Sequence, residues 1–275
     1  MTTIKSPLRY PGGKSRAIQT LKKLLPNEFD EFREPFVGGG SFFIFLKQKY
    51  PQLKIWINDL NEELYWFWIY AQKDSENLAR EVKKIKNRRR NGQNLFSDMV
   101  QADVSKLTEL DRAVRFFILN RITFSGVVEA GGYSQEAFEK RFTQSSIDRL
   151  AQIGQVLEGI TITHEDYAEL LKDDNERIFT FLDPPYFTAS KSKLYGKNGM
   201  LHTGFDHDEF ARQMKKCKQL WLITYDESDE VRGKFNFAKI AIEPWQLQYG
   251  MNNYKQAKAE KGNELFIANY SFLKL

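Results

Sequence analysis

Glu34-Pro-Phe-Val-Gly-Gly-Gly-Ser-Phe-Phe43 is the stretch whose reading decides the fold. Glu31–Val37 reads as a short strand, three glycines break it, and Ser41–Tyr50 reads as a helix with Ser41 as its expected N-cap. Glycines between a strand and a helix let the backbone come close to a ligand at the strand's carboxyl end. The chain then repeats the order: Lys54–Asn58 alternates like a strand, and Asn61–Tyr70 resumes a helical pattern. Strand, helix, strand, helix is the signature of a parallel sheet. Asp59 ends the second strand, 21 residues after Gly38 and 19 after Gly40. A carboxylate at that spacing of about 20 residues can accept from both hydroxyls of a ribose. The third glycine of the dinucleotide fingerprint is missing, with Phe43 in its place. An ordinary strand-turn-helix with a capping Asp is the alternative; the pairing with Asp59 favours a nucleoside-containing cofactor.

Outward from this stretch the pattern changes at about Gln72. Charged helical segments come next, Asn77–Arg90 and Leu107–Asn120, then a glycine-rich region from Gly126 to Gly132, then Phe138–Leu157. After Gly159 strands return at Ile160–His164, Arg177–Leu182, Gln219–Thr224, Phe237–Glu243 and Glu264–Tyr270. No full crossover helix fits between Glu243 and Glu264, so the last two are expected to pair antiparallel. The expected fold is α/β with a mostly parallel sheet. Residues 1–71 and 160–275 would form the cofactor-binding domain, interrupted by a helical insert over 72–159.

Composition narrows the class. The chain has 275 residues, 41% hydrophobic and 28% charged, which excludes a disordered or fibrous chain. The most apolar run, Tyr65–Ala71, is far shorter than the roughly 20 residues that cross a bilayer. No basic-then-apolar leader opens it, and one cysteine, Cys217, supplies neither an internal disulfide nor a zinc cluster. The expectation is a cytosolic protein. Its net charge of +5 is carried by one run, Lys83, Lys84, Lys86, Arg88, Arg89 and Arg90, without which the balance turns slightly negative. Smaller basic groups recur at Arg212–Lys218 and at Lys255, Lys258 and Lys261. Clustered cations attract polyanions by counterion release, whereas a solvated helix face is the plain alternative.

Two further segments carry chemistry. Leu8-Arg-Tyr-Pro-Gly-Gly-Lys-Ser15 ends like a phosphate-binding loop, but that motif needs glycine where Leu8 stands, so an ATPase is excluded. Phe181-Leu-Asp-Pro-Pro-Tyr186 closes the apolar strand Ile178–Leu182, placing Asp183 at the sheet's carboxyl edge. Pro184 and Pro185 remove two amide donors and stiffen the backbone, leaving fixed acceptors. Asp183 and the Pro184 carbonyl can each accept one hydrogen of an exocyclic amine while Tyr186 stacks on its ring. Holding both N–H bonds turns the nitrogen lone pair out of conjugation and toward an electrophile. A rigid strand-ending turn is the bland reading of Pro-Pro alone; Asp and Tyr on either side favour the amine site.

In this order the motifs resemble the Dam-type, D12-class DNA adenine-N6 methyltransferases, in the group where the cofactor motif precedes the recognition insert and the catalytic motif comes last. The resemblance rests on Leu8–Lys14, Glu34–Phe43, Asn58-Asp59, Leu119-Asn-Arg121 with Gly126, Asp183–Tyr186, and the terminal Asn263-Glu-Leu-Phe-Ile-Ala-Asn-Tyr270. It implies a Rossmann-like methyltransferase fold that uses S-adenosylmethionine and no metal. It further implies that Tyr10, Lys14, Asp59 and Asp183 contact the donor, Tyr10 replacing the tryptophan of better-known members. Phe36, Gly38 and Gly40 would line the donor's amino-acid end, and Asp166 with Tyr167 its adenine, unless Asp166 only caps the helix after Ile160–His164. The family places a β-hairpin near Arg121–Tyr133 in the DNA groove, with Phe124, Ser125, Val127 and Glu129 at its reading positions. Together with Arg88, Arg89, Arg90 and Arg121 these are the expected DNA contacts. Where GATC-specific relatives carry a guanine-reading arginine this chain has Glu129, which can only accept, so GATC is not the expected site; a surface charge on the hairpin is the equal alternative for Glu129.

The implied reaction is direct transfer of a methyl group to N6 of an adenine swung out of double-stranded DNA, driven by positioning rather than by a covalent nucleophile. His164, His202 and His207 show no ligand spacing. Lys191–Phe205, rich in Lys, Gly and polar residues, is the expected flap over DNA. A monomer in a bacterial or phage-infected cytoplasm is expected, with a restriction endonuclease of the same system as candidate partner. The competing readings are methylation of RNA adenine or protein glutamine, and a catalytically silent DNA-binding repressor.

Overall fold

The computed structural model describes residues 3–10, 12–128, 131–187, 204–248 and 261–272. Its strands are β1 (Glu31–Glu34), β2 (Lys54–Asn58), β3 (Thr161–Thr163), β4 (Ile178–Leu182), β5 (Leu220–Asp226), β6 (Ala241–Gln248) and β7 (Lys261–Ala268). They form one sheet in the order β3-β2-β1-β4-β5-β7-β6. The first five are parallel, and β7 lies antiparallel between β5 and β6. The helices are α1 (Ile18–Leu21), α2 (Ser41–Lys49), α3 (Glu62–Arg88), α4 (Gly92–Gln101), α5 (Glu109–Ile122), α6 (Gln135–Lys140), α7 (Gln144–Gln152), α8 (Gly154–Leu157), α9 (His207–Lys216) and α10 (Asp229–Lys234).

The strand sequences explain the layers. Ile178-Phe-Thr-Phe-Leu182 is buried at every position, as a central parallel strand covered on both faces must be. Its one polar side chain, Thr180, bonds the Gln219 amide oxygen. Along β5 and β7 the side chains alternate: Trp221, Ile223, Leu265 and Ile267 join one buried cluster, while Leu222, Phe266 and Ala268 join the other. β6 starts and ends later than the expected Phe237–Glu243. Lys239 turns the chain with a positive φ of 67° before it, and β6 carries Pro244, which an edge strand tolerates because no ladder bond is lost.

Two caps differ from the sequence expectation. Gly40, at φ 66°, takes the N-cap of α2, and Ser41 is the first helical residue with no capping bond. A Cβ on Gly40 would run into the rings of Phe43 and Trp68, so the turn admits only glycine. The two expected helices Asn61–Tyr70 and Asn77–Arg90 are joined in α3, interrupted by non-helical Asp74. Asn61 caps the first half, accepting from the Glu63 and Leu64 amides at 3.0 and 3.2 Å. Asp74 caps the second, accepting from the Asn77 amide at 2.9 Å. Residue 72 therefore lies inside a helix. Gln72 donates to the Leu157 and Ile160 carbonyls, and Phe67 stacks on Phe117 of α5 at 6.1 Å, so α3 carries the central helices onto the sheet.

Candidate active site

Strands β1, β2 and β4 run parallel in register, so the segment leaving the carboxyl end of each emerges at one edge. That edge lies where the strand order reverses, between β1 and β4, the place where open α/β sheets bind ligands. A cavity of about 640 Å³ opens there, within the roughly 300–1,000 Å³ usual for small-molecule sites. Its lining includes Tyr10, Lys14, Phe36, Gly38, Gly40, Asp59, Asp166, Asp183, Pro184, Pro185 and Tyr186, so the expected cofactor and catalytic residues come together.

The N-terminal loop is turned by a bond from the Gly13 amide to the Tyr10 carbonyl, and Lys14 opens a 3-10 turn. Lys14 is 5% exposed, and its Nζ donates to both Asp183 oxygens at 2.7 Å, to the Tyr186 hydroxyl oxygen at 3.1 Å and to the Gly12 carbonyl at 3.0 Å. Thr224 Oγ1 donates to Asp183 Oδ1 at 2.6 Å. A carboxylate offers about four acceptor positions; three are filled, leaving one on Oδ2. Behind the box, the Phe187 amide donates to Asp226 at 2.8 Å, and Tyr186 stacks on Tyr225 at 6.2 Å.

At the other end, Asp59 accepts from the Gly38 and Asn61 amides, each at 3.0 Å. Burial nevertheless pushes its carboxyl up to about 6. Phe36 stacks on Tyr167 at 5.3 Å beside it. Asp166 borders the cavity and also caps the following turn, accepting from the Ala168 amide at 2.9 Å. The glycines serve packing as well as access. A Cβ on Gly38 would come within 2.7 Å of the Tyr10 ring, and one on Gly39 within 2.8 Å of Tyr10 Cβ. Glu34 faces the same cavity, buried, accepting from the Phe43 amide at 3.2 Å and held well above the usual carboxylate range by desolvation.

The expected DNA contacts scatter. Arg88, Arg89 and Arg90 are exposed at the end of α3, with Arg89 paired to Asp98. Phe124 is 62% exposed. Val127 is buried, and Ser125 turns the chain at φ 56°. Arg121 is a correction: only 6% exposed, it donates to the Arg141 and Pro7 carbonyls at 3.0 and 3.2 Å, not outward to a phosphate. Burial, with Arg9, Arg149 and Arg141 nearby, lowers it to about 9. Between Thr123 and Tyr133 the described residues show a single antiparallel bridge rather than a hairpin ladder. Glu129, and the expected flap apart from Gly204 and Phe205, lie outside the described residues. So do Lys255 and Lys258. In the remaining basic group, Arg212 pairs with Glu209 and Lys218 with Asp174.

Three supporting residues escaped the sequence reading. Thr224 was traceable: β4 and β5 pair Leu182 with Ile223, so the next residue on each strand, Asp183 and Thr224, meet at the edge. Asn120, quoted only as part of a motif, binds the Arg9 backbone at both ends, accepting at 2.9 Å and donating at 2.6 Å, and donates to the Gly126 carbonyl at 3.0 Å. Glu264 carried no signal beyond its strand. It is 1% exposed, and neither oxygen makes a hydrogen bond of ordinary geometry among the described residues.

A parallel-sheet edge carrying Asp183-Pro-Pro-Tyr186 beside a ribose-type carboxylate is the geometry expected of an amine methyltransferase. A family description matches residues 10–251: the D12 class of N6 adenine-specific DNA methyltransferases. The chain belongs to this family. It is an adenine-specific DNA methyltransferase, and membership of the family implies use of S-adenosylmethionine. It is 25% identical to the type II methyltransferase M1.LlaDCHI of Lactococcus lactis subsp. cremoris, over 95% of this chain and 94% of that one. It is 23% identical to the type II methyltransferase M.MjaIII of Methanocaldococcus jannaschii, over 97% and 99%. A DNA adenine methylase of Haemophilus influenzae is 22% identical, over 95% and 93%. No helix of the described residues is long and apolar enough to cross a membrane.

Proposed function

We propose that the cavity holds S-adenosylmethionine along its length and receives, against Asp183–Tyr186, an adenine turned out of double-stranded DNA. The residues present fit the donor. Asp59 has acceptor positions left after its two amide bonds, suited to ribose hydroxyls. Tyr167, stacked on Phe36, offers an aromatic ring beside a purine, which sets Phe36 nearer the adenine than the amino-acid end expected for it. Gly38, Gly40 and Tyr10 border its amino-acid end, with Lys14 beside them. When bound, the donor supplies a methyl group on positively charged sulfur.

The open acceptor position on Asp183 Oδ2 carries the reading. Lys14 and Thr224 fix the carboxylate from behind, so one lone pair meets a base amino hydrogen without further reorganisation. The Pro184 carbonyl takes the second hydrogen, and Tyr186 covers the ring. The N6–carbon bond forms as the sulfur–carbon bond breaks, and the nitrogen then releases one proton, for which Asp183 Oδ2 is the nearest acceptor. Residues 72–159 act as the recognition insert, with Phe124 and the Arg88–Arg90 run toward the duplex. A cytoplasmic role opposite a restriction endonuclease fits the two type II relatives, and no metal takes part.

Labelled-methyl transfer to duplex DNA, RNA or protein tests this directly. Asp183→Ala should lower transfer to duplex adenine by at least about a hundredfold, read at saturating donor and below the variant's own unfolding temperature, because the change leaves the buried Lys14 ammonium without its carboxylate and costs stability as well. A fully active variant would remove Asp183 from the reaction, and transfer to RNA or protein alone would overturn the substrate.

A further inference from the structure

Glu264 is buried at the active edge, yet neither the donor end nor the Asp183 clamp uses it. On β7 it sits in register with Asp226 of β5 on one side and with Trp245 of β6 on the other. Residues paired across strands share a face, as do residues two apart along a strand, so Thr224, Asp226 and Glu264 point the same way. Thr224 holds Asp183 and Asp226 holds the Phe187 amide, at the two ends of the box. Glu264 lies behind the residues that line the cavity.

The ionisable groups acting on it are Lys14, Asp183, Tyr186 and Asp226. Lys14 and the Tyr186 hydroxyl favour its charged form, the two aspartates oppose it, and burial outweighs all of them, raising the carboxyl to about 7. Lys14 donates to the Tyr186 hydroxyl oxygen, so the phenol proton points away from that bond, and Glu264 is a buried carboxyl, without an ordinary hydrogen bond among the described residues, on which the Tyr186 hydroxyl acts.

We propose that Glu264 is a positioning residue for methyl transfer: ionised, it takes the hydrogen bond of the Tyr186 hydroxyl and holds the ring over the base, and protonated, it lets the ring go. This rests on Asp183–Tyr186 being the transfer box. A purely structural carboxyl would change stability and leave the shape of the pH profile alone.

The test is kcat from pH 5.5 to 9 at saturating donor and duplex, which keeps Asp59 out of the profile. Wild type should show an acidic limb with a midpoint of about 7. Glu264→Gln should abolish the limb and run about tenfold below wild type at high pH, with donor affinity unchanged. A limb persisting in Glu264→Gln overturns the proposal, because it then belongs to another group. Should that variant fail to fold, wild type labelled with carbon-13 tyrosine gives the second reading. The Tyr186 signal, assigned with Tyr186→Phe, should shift with a midpoint of about 7. A flat signal refutes the role of Glu264 alone, whereas wild type that transfers no methyl at any pH refutes the box.

Discussion

At the scale of single residues, the site fills acceptor positions on its carboxylates until one is left on Asp183 and about two on Asp59. Asp183 is held by Lys14 and Thr224, and Asp59 by two amides, so each carboxylate presents what remains to a ligand. Asp59 also titrates usefully. Its folded carboxyl, at about 6, lies above the ordinary 3.8, so its protonated form is the one the fold prefers. Its contribution to stability is therefore present below about 3.8 and lost as pH rises through about 6. Ribose hydroxyls need the ionised form, so donor affinity should move the other way. Calorimetric titration with S-adenosylmethionine should show binding weakening as pH falls below about 6, and Asp59→Asn should bind about tenfold more weakly with that dependence gone. Unchanged affinity in the variant would separate Asp59 from the ribose. The carboxylates of the box and of the second strand were legible in sequence because each comes directly after an apolar strand. Glu264 was not, because its partners lie far away along the chain and meet it only through sheet register.

At the scale of elements, the strand-turn-helix around Gly38–Gly40 was read correctly in outline and wrongly in its cap. Serine is the usual capping choice, but the preceding turn must pass through positive φ beneath two aromatic rings, and that requirement overrides capping preference. Gly40→Ala should lose about 2–4 kcal/mol of stability from backbone strain and overpacking together, measured by denaturant unfolding; a loss under about 0.5 kcal/mol would show that the turn relaxes. Long α3 was read as two helices because charged, polar residues interrupt its apolar face near Asp74. The interruption exists as a second cap rather than as a loop, since the α5 and α7 contacts hold both halves together. Arg121 was read as a DNA contact because its family motif and charge point there. Burial depends on what packs around a helix end, and no local pattern shows that the Pro7 and Arg141 backbone segments converge on it.

Across the whole molecule, charge and connectivity set how DNA is met. Arg88 and Arg90 are exposed and have no ion pair among the described residues, while Arg89 shares its charge with Asp98. If both face phosphates, Arg88→Ala with Arg90→Ala should weaken binding to any duplex and reduce the salt slope by nearly 2, at about 0.9 per contact. Fluorescence anisotropy from 50 to 300 mM salt, on the order of the range where such slopes are read, checks it; an unchanged slope makes the run a solvated helix end. The parallel core was legible from the alternation of strands and helices, whereas the spatial order of the strands, with its reversal between β1 and β4, and the seating of the central helices were not. That seating has a practical outcome for anyone grafting a new specificity onto this scaffold. Asn120 and Arg121 grip the backbone of Pro7 and Arg9, only a few residues ahead of Lys14, and Gly126 leaves no room for a side chain against Arg9. A transplanted middle segment would arrive without its matching leader peptide unless residues 7–9 travel with it, and chimeras joined only at 72 and 159 would misplace the very lysine that steadies the reacting carboxylate.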